Sequence, residues 1–276
     1  MLTPFTKMHG LGNDFVVFDN RSGDVKLSPE RARAIANRRE GVGFDQMLFI
    51  EQSRSPECDL AFRIVNADGS EVEHCGNGAR CVAAFAHARG LTNANPLRLQ
   101  LPTRIICARR CNDGRVAVDM GEPEFEPHAI PFVASERQPV YTLDLDTGPV
   151  QLGAVSMGNP HALLVRDDVA VCDLRALAVP IQAHRAFPQR VNVGVMSIDS
   201  RSSVHLRVYE RGVGETQACG TGACAAVAIA RLWQLVDAQV TVHLPGGSLD
   251  IAWTGPGHAL WMTGPTAFVF DGEIEI

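Results

Sequence analysis

The chain has 276 residues, 46% of them hydrophobic and 20% charged, with a formal net charge of −6. This excludes a largely disordered chain, and the length suits one large domain or two of ordinary size. Charges of both signs are mixed, as at Glu71, Glu73 and Arg80, so no basic surface is built for nucleic acid.

From the N-terminus, Met1 to His9 lacks the charged-then-apolar pattern of a signal peptide, and no apolar run is long enough to cross a bilayer. The expectation is a cytoplasmic protein with reduced thiols and no membrane partner. Alternating apolar segments over 14–19, 46–50 and 60–65 predict strands, and Ser28-Pro29 opens a helix running to about Arg38. Cys75-Gly-Asn-Gly-Ala79 reads as a glycine turn onto an alanine-rich helix over 79–86. That helix has no polar face and is expected to be central and buried. The Pro- and Glu-rich stretch Met120 to Pro127 reads as a linker. Beyond it the pattern recurs, with a helix from Asp173 to His184 and strands over 193–198 and 204–208. Cys219-Gly-Thr-Gly-Ala223 then leads into a second alanine-rich helix over 223–230. The last strand, 267–270, lies beyond this second set and is available to return to the first domain.

The recurrence keeps its register. Asn13 and Asn159 stand 146 residues apart, as do Gln46 and Asn192, while Asn66 and Glu210, like Cys75 and Cys219, stand 144 apart. A duplication into two pseudo-symmetric domains follows, with Cys75 and Cys219 expected to face each other across the interdomain cleft. The eight cysteines contain no C-x-x-C pair, so no metal is expected. Two opposed thiols suit inversion at a carbon: one thiolate removes a proton from one face and the other thiol delivers one to the opposite face. A helix N-terminus favours both a thiolate and a carboxylate. The plainer alternative, two buried structural thiols, does not account for the match between halves.

Pyridoxal phosphate would need a Schiff-base lysine, and the chain has only Lys7 and Lys26 and no phosphate loop. No cofactor is expected; backbone N–H groups and exclusion of water would stabilise the carbanion. Asn13, Asn66, Asn159 and Asn192 could be turn formers, but their repeat-matched positions favour substrate ligands. Asn77 and Thr221 hold the same place after each cysteine and could orient a carboxylate. Arg211 can clamp a carboxylate and Glu210 can accept from an ammonium group. His161 is a candidate to tune a thiol, and His9 has the same status with less motif support.

Lys7-Met-His-Gly-Leu-Gly-Asn-Asp-Phe15, Asn66-Ala-Asp-Gly-Ser-Glu71, Cys75-Gly-Asn-Gly-Ala-Arg-Cys81, Gly158-Asn-Pro-His161, Arg190-Val-Asn-Val-Gly194, Glu210-Arg-Gly-Val-Gly-Glu215 and Ala218-Cys-Gly-Thr-Gly-Ala223 together resemble the diaminopimelate epimerases. The match runs from about residue 5 to 270. The resemblance implies an α+β fold of two pseudo-symmetric domains, each a β-barrel-like sheet wrapped around a central helix. The first would comprise 1–120 plus a returning 265–276 and the second 121–264, with the active site between them. It implies interconversion of LL- and meso-2,6-diaminopimelate, in lysine and peptidoglycan precursor synthesis, by a homodimer without cofactor. Carried over by motif, Cys75 and Cys219 are the acid/base pair. Asn13, Gln46, Asn66, Gly76, Asn77, Asn159, Asn192, Glu210, Arg211, Gly220 and Thr221 contact substrate, and His161 and Glu210 adjust the thiols. In the LL-to-meso direction Cys219 accepts the proton and Cys75 donates one. Two positions depart from the pattern: His74, and Phe270 where some members carry a tyrosine at a dimer contact. The alternatives are a proline or hydroxyproline racemase, a phenazine-pathway isomerase, and a non-catalytic amino-acid-binding or thiol redox protein.

Overall fold

The computed structural model describes residues 2–72 and 75–276, so Glu73 and His74 lie outside the described residues. The chain forms a two-domain α+β fold whose compact units are Met1–Asp119 with Thr263–Ile276, and Met120–Met262.

The first unit runs β1 (Leu2–Gly10), β2 (Asn13–Asp19), α1 (Pro29–Ala36), β3 (Gln46–Glu51), β4 (Leu60–Asn66), β5 (Glu71–Val72), α2 (Gly76–Ala88), β6 (Leu97–Gln100), β7 (Ile105–Arg110) and β8 (Val116–Asp119). β1 and β2 make a hairpin, β2 and β3 pair in parallel, and β3 and β4 are antiparallel. β4 pairs in parallel with β6, and β6, β7 and β8 follow antiparallel. Two parallel strands cannot be joined by a tight turn, so β2 and β3 need the crossover that α1 supplies. Phe15, Val16, Val17 and Phe18 on β2 are all buried, because α1 covers one face of the sheet and α2 the other.

The second unit repeats this order. It runs β9 (Tyr141–Leu145), β10 (Gly148–Ser156), β11 (Pro160–Val165), α3 (Leu174–Ala183), β12 (Asn192–Ser200), β13 (Ser203–Glu210), β14 (Gly214–Thr216), α4 (Gly220–Leu232), β15 (Gln239–Leu244) and β16 (Gly247–Ala252), with β17 (Trp261–Gly264) at the boundary. The parallel pair is now β11 with β12, joined through α3. The duplication reaches the level of single register pairs: Phe15 opposite Gln46 in one unit corresponds to His161 opposite Asn192 in the other. β9 pairs with β10, and the equivalent neighbour of β1 is the C-terminal strand, Ala267–Glu275, antiparallel to it from Leu2 to His9. An exposed strand edge invites mispairing, and the returning strand covers this one.

α2 and α4 are buried almost all round and packed by strands, α2 on β1, β2, β3, β7 and β8, and α4 on β10 to β13 and β16. Small residues permit the close approach. A Cβ on Gly153 of β10 would lie 2.5 Å from Ile229 Cγ2 and 2.9 Å from Trp233 Cζ2. One expectation is corrected here. Gly76-Asn-Gly and Gly220-Thr-Gly are not turns onto the helices but their first turns, and Cys75 and Cys219 are the N-cap residues. Both cysteines have extended backbones, with φ of −148° and −110°, as an N-cap requires. The helical glycines leave room for the cysteine: a Cβ on Gly222 would stand 3.3 Å from Cys219 Sγ and 2.9 Å from Val208 Cγ2.

Candidate active site

In the first unit the sulfur is built into the helix cap. Cys75 Sγ accepts from the Gly78 N–H at 3.3 Å and faces Asn13 Oδ1 at 3.8 Å, where the thiol donates. Asn77 Nδ2 donates to the same oxygen at 3.2 Å. Gly12, with a φ of 85°, turns the hairpin so that Asn13 points at the helix start; the left-handed conformation favours glycine there. Gln46 and Asn66, opposed on β3 and β4, are joined by a bond from Gln46 Nε2 to Asn66 Oδ1 of 3.0 Å. Gln46 Oε1 and Asn77 Oδ1 are buried and accept no hydrogen bond among the described residues. Such oxygens are costly unless a bound group completes them. His9 serves the hairpin, accepting the Gly12 N–H at Nδ1.

In the second unit Gly158, with a φ of 86°, does for Asn159 what Gly12 does for Asn13. His161 Nε2 lies 3.1 Å from Asn159 Oδ1 and 3.0 Å from Thr221 Oγ1, and Asn159 Nδ2 donates to Thr221 Oγ1 at 3.3 Å. Burial, and then the charge of Arg211, push the His161 imidazole down to about 3, so it is neutral. Because Asn159 Oδ1 only accepts, the His161 proton sits on Nε2. Thr221 Oγ1 lies 3.6 Å from Cys219 Sγ, and either atom can be the donor between them. Burial raises the Cys219 thiol well above its ordinary range, and the Glu210 charge adds to this; the Thr221 hydroxyl and the Gly222 N–H act in the opposite direction. Glu210 is fixed by Thr216 Oγ1 at 2.6 Å, and Asn192 Oδ1 accepts the Arg211 N–H at 2.9 Å.

Asn13 and Asn77 meet at Cys75, and Thr221 with Asn159 and His161 at Cys219, but the two surroundings differ. Cys75 Sγ accepts the Gly78 N–H and faces the Asn13 carbonyl oxygen, whereas Cys219 Sγ makes no such bond to its helix start and faces the Thr221 hydroxyl. Gly76 and Gly220 open the helices, where the first N–H groups have no intrahelical acceptor, and neither first turn holds an acidic side chain. The eight cysteines carry no disulfide. Among the described residues no group of His, Cys, Asp or Glu is arranged to hold a metal. Sequence reasoning missed Thr216, and it missed the charged group of Lys7, Asp14, Arg38 and Asp45 behind Asn13. Lys7 and Asp14 fall inside a quoted motif, but nothing in their spacing says that they meet.

A family model described as diaminopimelate epimerase matches residues 5–126 and 153–269. Among solved structures, the chain is similar to a hydroxyproline epimerase from Agrobacterium vitis with bound trans-4-hydroxy-L-proline. The TM-score is 0.70 at 15% identity, over 99% of this chain and 92% of that one. A probable proline racemase from Agrobacterium radiobacter matches with a TM-score of 0.69 at 16% identity, over 99% and 93% of the two chains. A phenazine biosynthesis protein of the PhzF family from Bacillus anthracis matches with a TM-score of 0.66 at 17% identity, over 100% of both chains. At these identities the likeness to the three structures is one of fold.

Proposed function

Because the chain belongs to the diaminopimelate epimerase family, and so to the epimerases and isomerases of this fold, we propose that it interconverts LL- and meso-2,6-diaminopimelate without a cofactor. Such a reaction would serve lysine and peptidoglycan precursor synthesis. The observation that carries the reading is the pair of repeat-matched cysteines, each at the N-cap position of a buried helix, one facing an asparagine carbonyl oxygen and the other a threonine hydroxyl.

In the LL-to-meso direction, Cys219 thiolate takes the α-hydrogen as a proton. The C–H electron pair stays on the α-carbon and is delocalised into the substrate carboxylate, which backbone N–H groups at the helix starts stabilise. Cys75 thiol delivers its proton to the opposite face, forming the new C–H bond and leaving Cys75 as thiolate. The reverse reaction exchanges the roles. The reading requires both cysteines to act on one α-carbon. Asn13, Asn77, Asn159 and Thr221 would orient the reacting end. Gln46, Asn66, Asn192, Glu210 and Arg211 offer the polar groups that a second amino-acid end demands. That second set favours diaminopimelate over proline or hydroxyproline, whose ring needs no such partners. The exposed Phe268, Val269 and Phe270 on the C-terminal strand favour a homodimer, and a monomer mass in sedimentation velocity would exclude it.

Proton NMR of LL-diaminopimelate with reduced protein in D2O tests the function. Deuterium should appear at one α-carbon together with the meso isomer, and both should be lost in Cys75→Ala and in Cys219→Ala. Exchange with hydroxyproline or proline alone would reassign the substrate. Unimpaired exchange in either single variant would sink the two-base mechanism.

A further inference from the structure

Behind Asn13 lies a compact ionic group to which the proposed reaction assigns no role. Lys7, 7% exposed, donates from Nζ to Asp14 Oδ2 at 2.6 Å and to the Gly43 carbonyl. Arg38 grips Asp14 with two bonds of 2.8 and 2.9 Å and reaches Asp45 Oδ1 at 2.8 Å. Asp45 N–H donates back to Asp14 Oδ1 at 3.0 Å. The remaining Asp45 oxygen, Oδ2, accepts the Asp14 N–H at 3.1 Å and Asn13 Nδ2 at 2.9 Å. Asp45 is therefore held from three sides, although it lies at the surface.

The last of these bonds decides which way the Asn13 amide points. A carboxylate only accepts, so it must meet the NH2 end, and the carbonyl end must turn to Cys75 and Asn77. We propose that Asp45 is a positioning residue for Cys75: it fixes the Asn13 amide with its oxygen on the sulfur, so that Cys75 rests as a protonated thiol ready to donate. With the amide reversed, an N–H would face the sulfur and favour thiolate instead. Lys7, Asp14 and Arg38 act one step further back by holding Asp45 in place. This inference rests on the reading of Cys75 as the proton donor.

Among the described residues, the other ionisable groups on α2, β1, β2 and β5 are Arg80, Cys81 and His87, Lys7 and His9, Asp14 and Asp19, and Glu71. Burial pushes the Cys81 thiol up to about 12, so it keeps its proton. Burial alone would raise the Asp14 carboxyl, but hydrogen bonds and charge from Arg38 and Lys7 prevail and hold it well below the carboxylate range. Neither group changes charge near neutrality.

Alkylation of Cys75 by iodoacetamide, followed across pH by mass spectrometry of its peptide, reads thiolate formation without turnover. In Asp45→Asn the amide can reverse. The alkylation midpoint should fall by about one pH unit, raising the rate at neutral pH about tenfold. The shift should vanish when the substitution is made in an Asn13→Ala background. An unchanged midpoint would overturn the proposal. So would an equal shift in the Asn13→Ala background, since loss of a nearby negative charge would then suffice. Asp45→Ala repeats the test if the Asn variant does not accumulate. Failure of the diaminopimelate exchange assay would leave these outcomes as informative as before, because no substrate enters them.

Discussion

At the scale of single residues, the two thiols are distinguished by what their neighbours can donate. Cys219 stands in a place that opposes its own ionisation, buried and beside Glu210, and only Thr221 and Gly222 offset this. On the proposed reaction, a base kept reluctant in this way would gain its thiolate when the substrate ammonium neutralises Glu210, which would tie proton abstraction to the presence of substrate. Glu210→Gln removes the charge in advance. The alkylation rate of Cys219 at neutral pH should rise on the order of tenfold. α-Proton exchange should fall at the same time, because the ammonium contact goes with the charge. Cys219 reactivity unchanged in this variant would remove Glu210 from the account. The glutamate could be singled out in the sequence because it shares the 144-residue offset of the cysteines. Thr216, which orients it, could not, since no repeat partner marks it.

At the scale of elements, the legible parts were those fixed by local pattern. The strand over 46–50 and the helix from Ser28 came out within two residues of β3 and α1, because apolar alternation and the Ser-Pro cap act locally. α3 agrees within a residue at either end, although Pro180 lies inside it. The starts of α2 and α4 were misread, because glycine is a poor helix former and its usual meaning is a turn. Tertiary packing reverses that meaning, since a side chain at Gly222 would strike Val208 and the cysteine it must accommodate. The same logic makes a prediction away from the cysteines. Gly153 on β10 is covered by Ile229 and Trp233 of the α4 segment, one contact being to a branched methyl that cannot swing aside cheaply. Gly153→Ala should cost about 1–3 kcal/mol, seen as a lowered thermal midpoint. A midpoint within a degree of the parent would show that the helix can shift and that the packing is looser than the distances say.

At the scale of the whole molecule, the duplication explains a feature that neither half shows alone. Each unit needs a strand beside the first strand of its repeat, and β9 supplies it from just upstream in the second unit. In the first unit the equivalent strand comes from the C-terminal segment, Ala267–Glu275. The returning strand is fastened by more than its ladder. Asp271 accepts from Thr6 Oγ1 at 2.6 Å and pairs with Arg89, Phe270 lies edge-on to Phe5 at 6.0 Å, and Arg31 donates to the Glu275 carbonyl. β1 in turn holds the hairpin that presents Asn13, and it carries Lys7 of the ionic group. The C-terminal strand is therefore expected to support Cys75 from a distance, although none of its residues belongs to the candidate site. Deleting residues 267–276 should strip hydrogen-exchange protection from β1 and β2. β11, β12 and β13, in the other unit, should keep theirs. Cys75 should then be alkylated as an ordinary thiol, without the restraint of Asn13. Full protection of β1 and β2 in the truncated chain would mean that the hairpin holds itself, and that the returning strand only covers an edge.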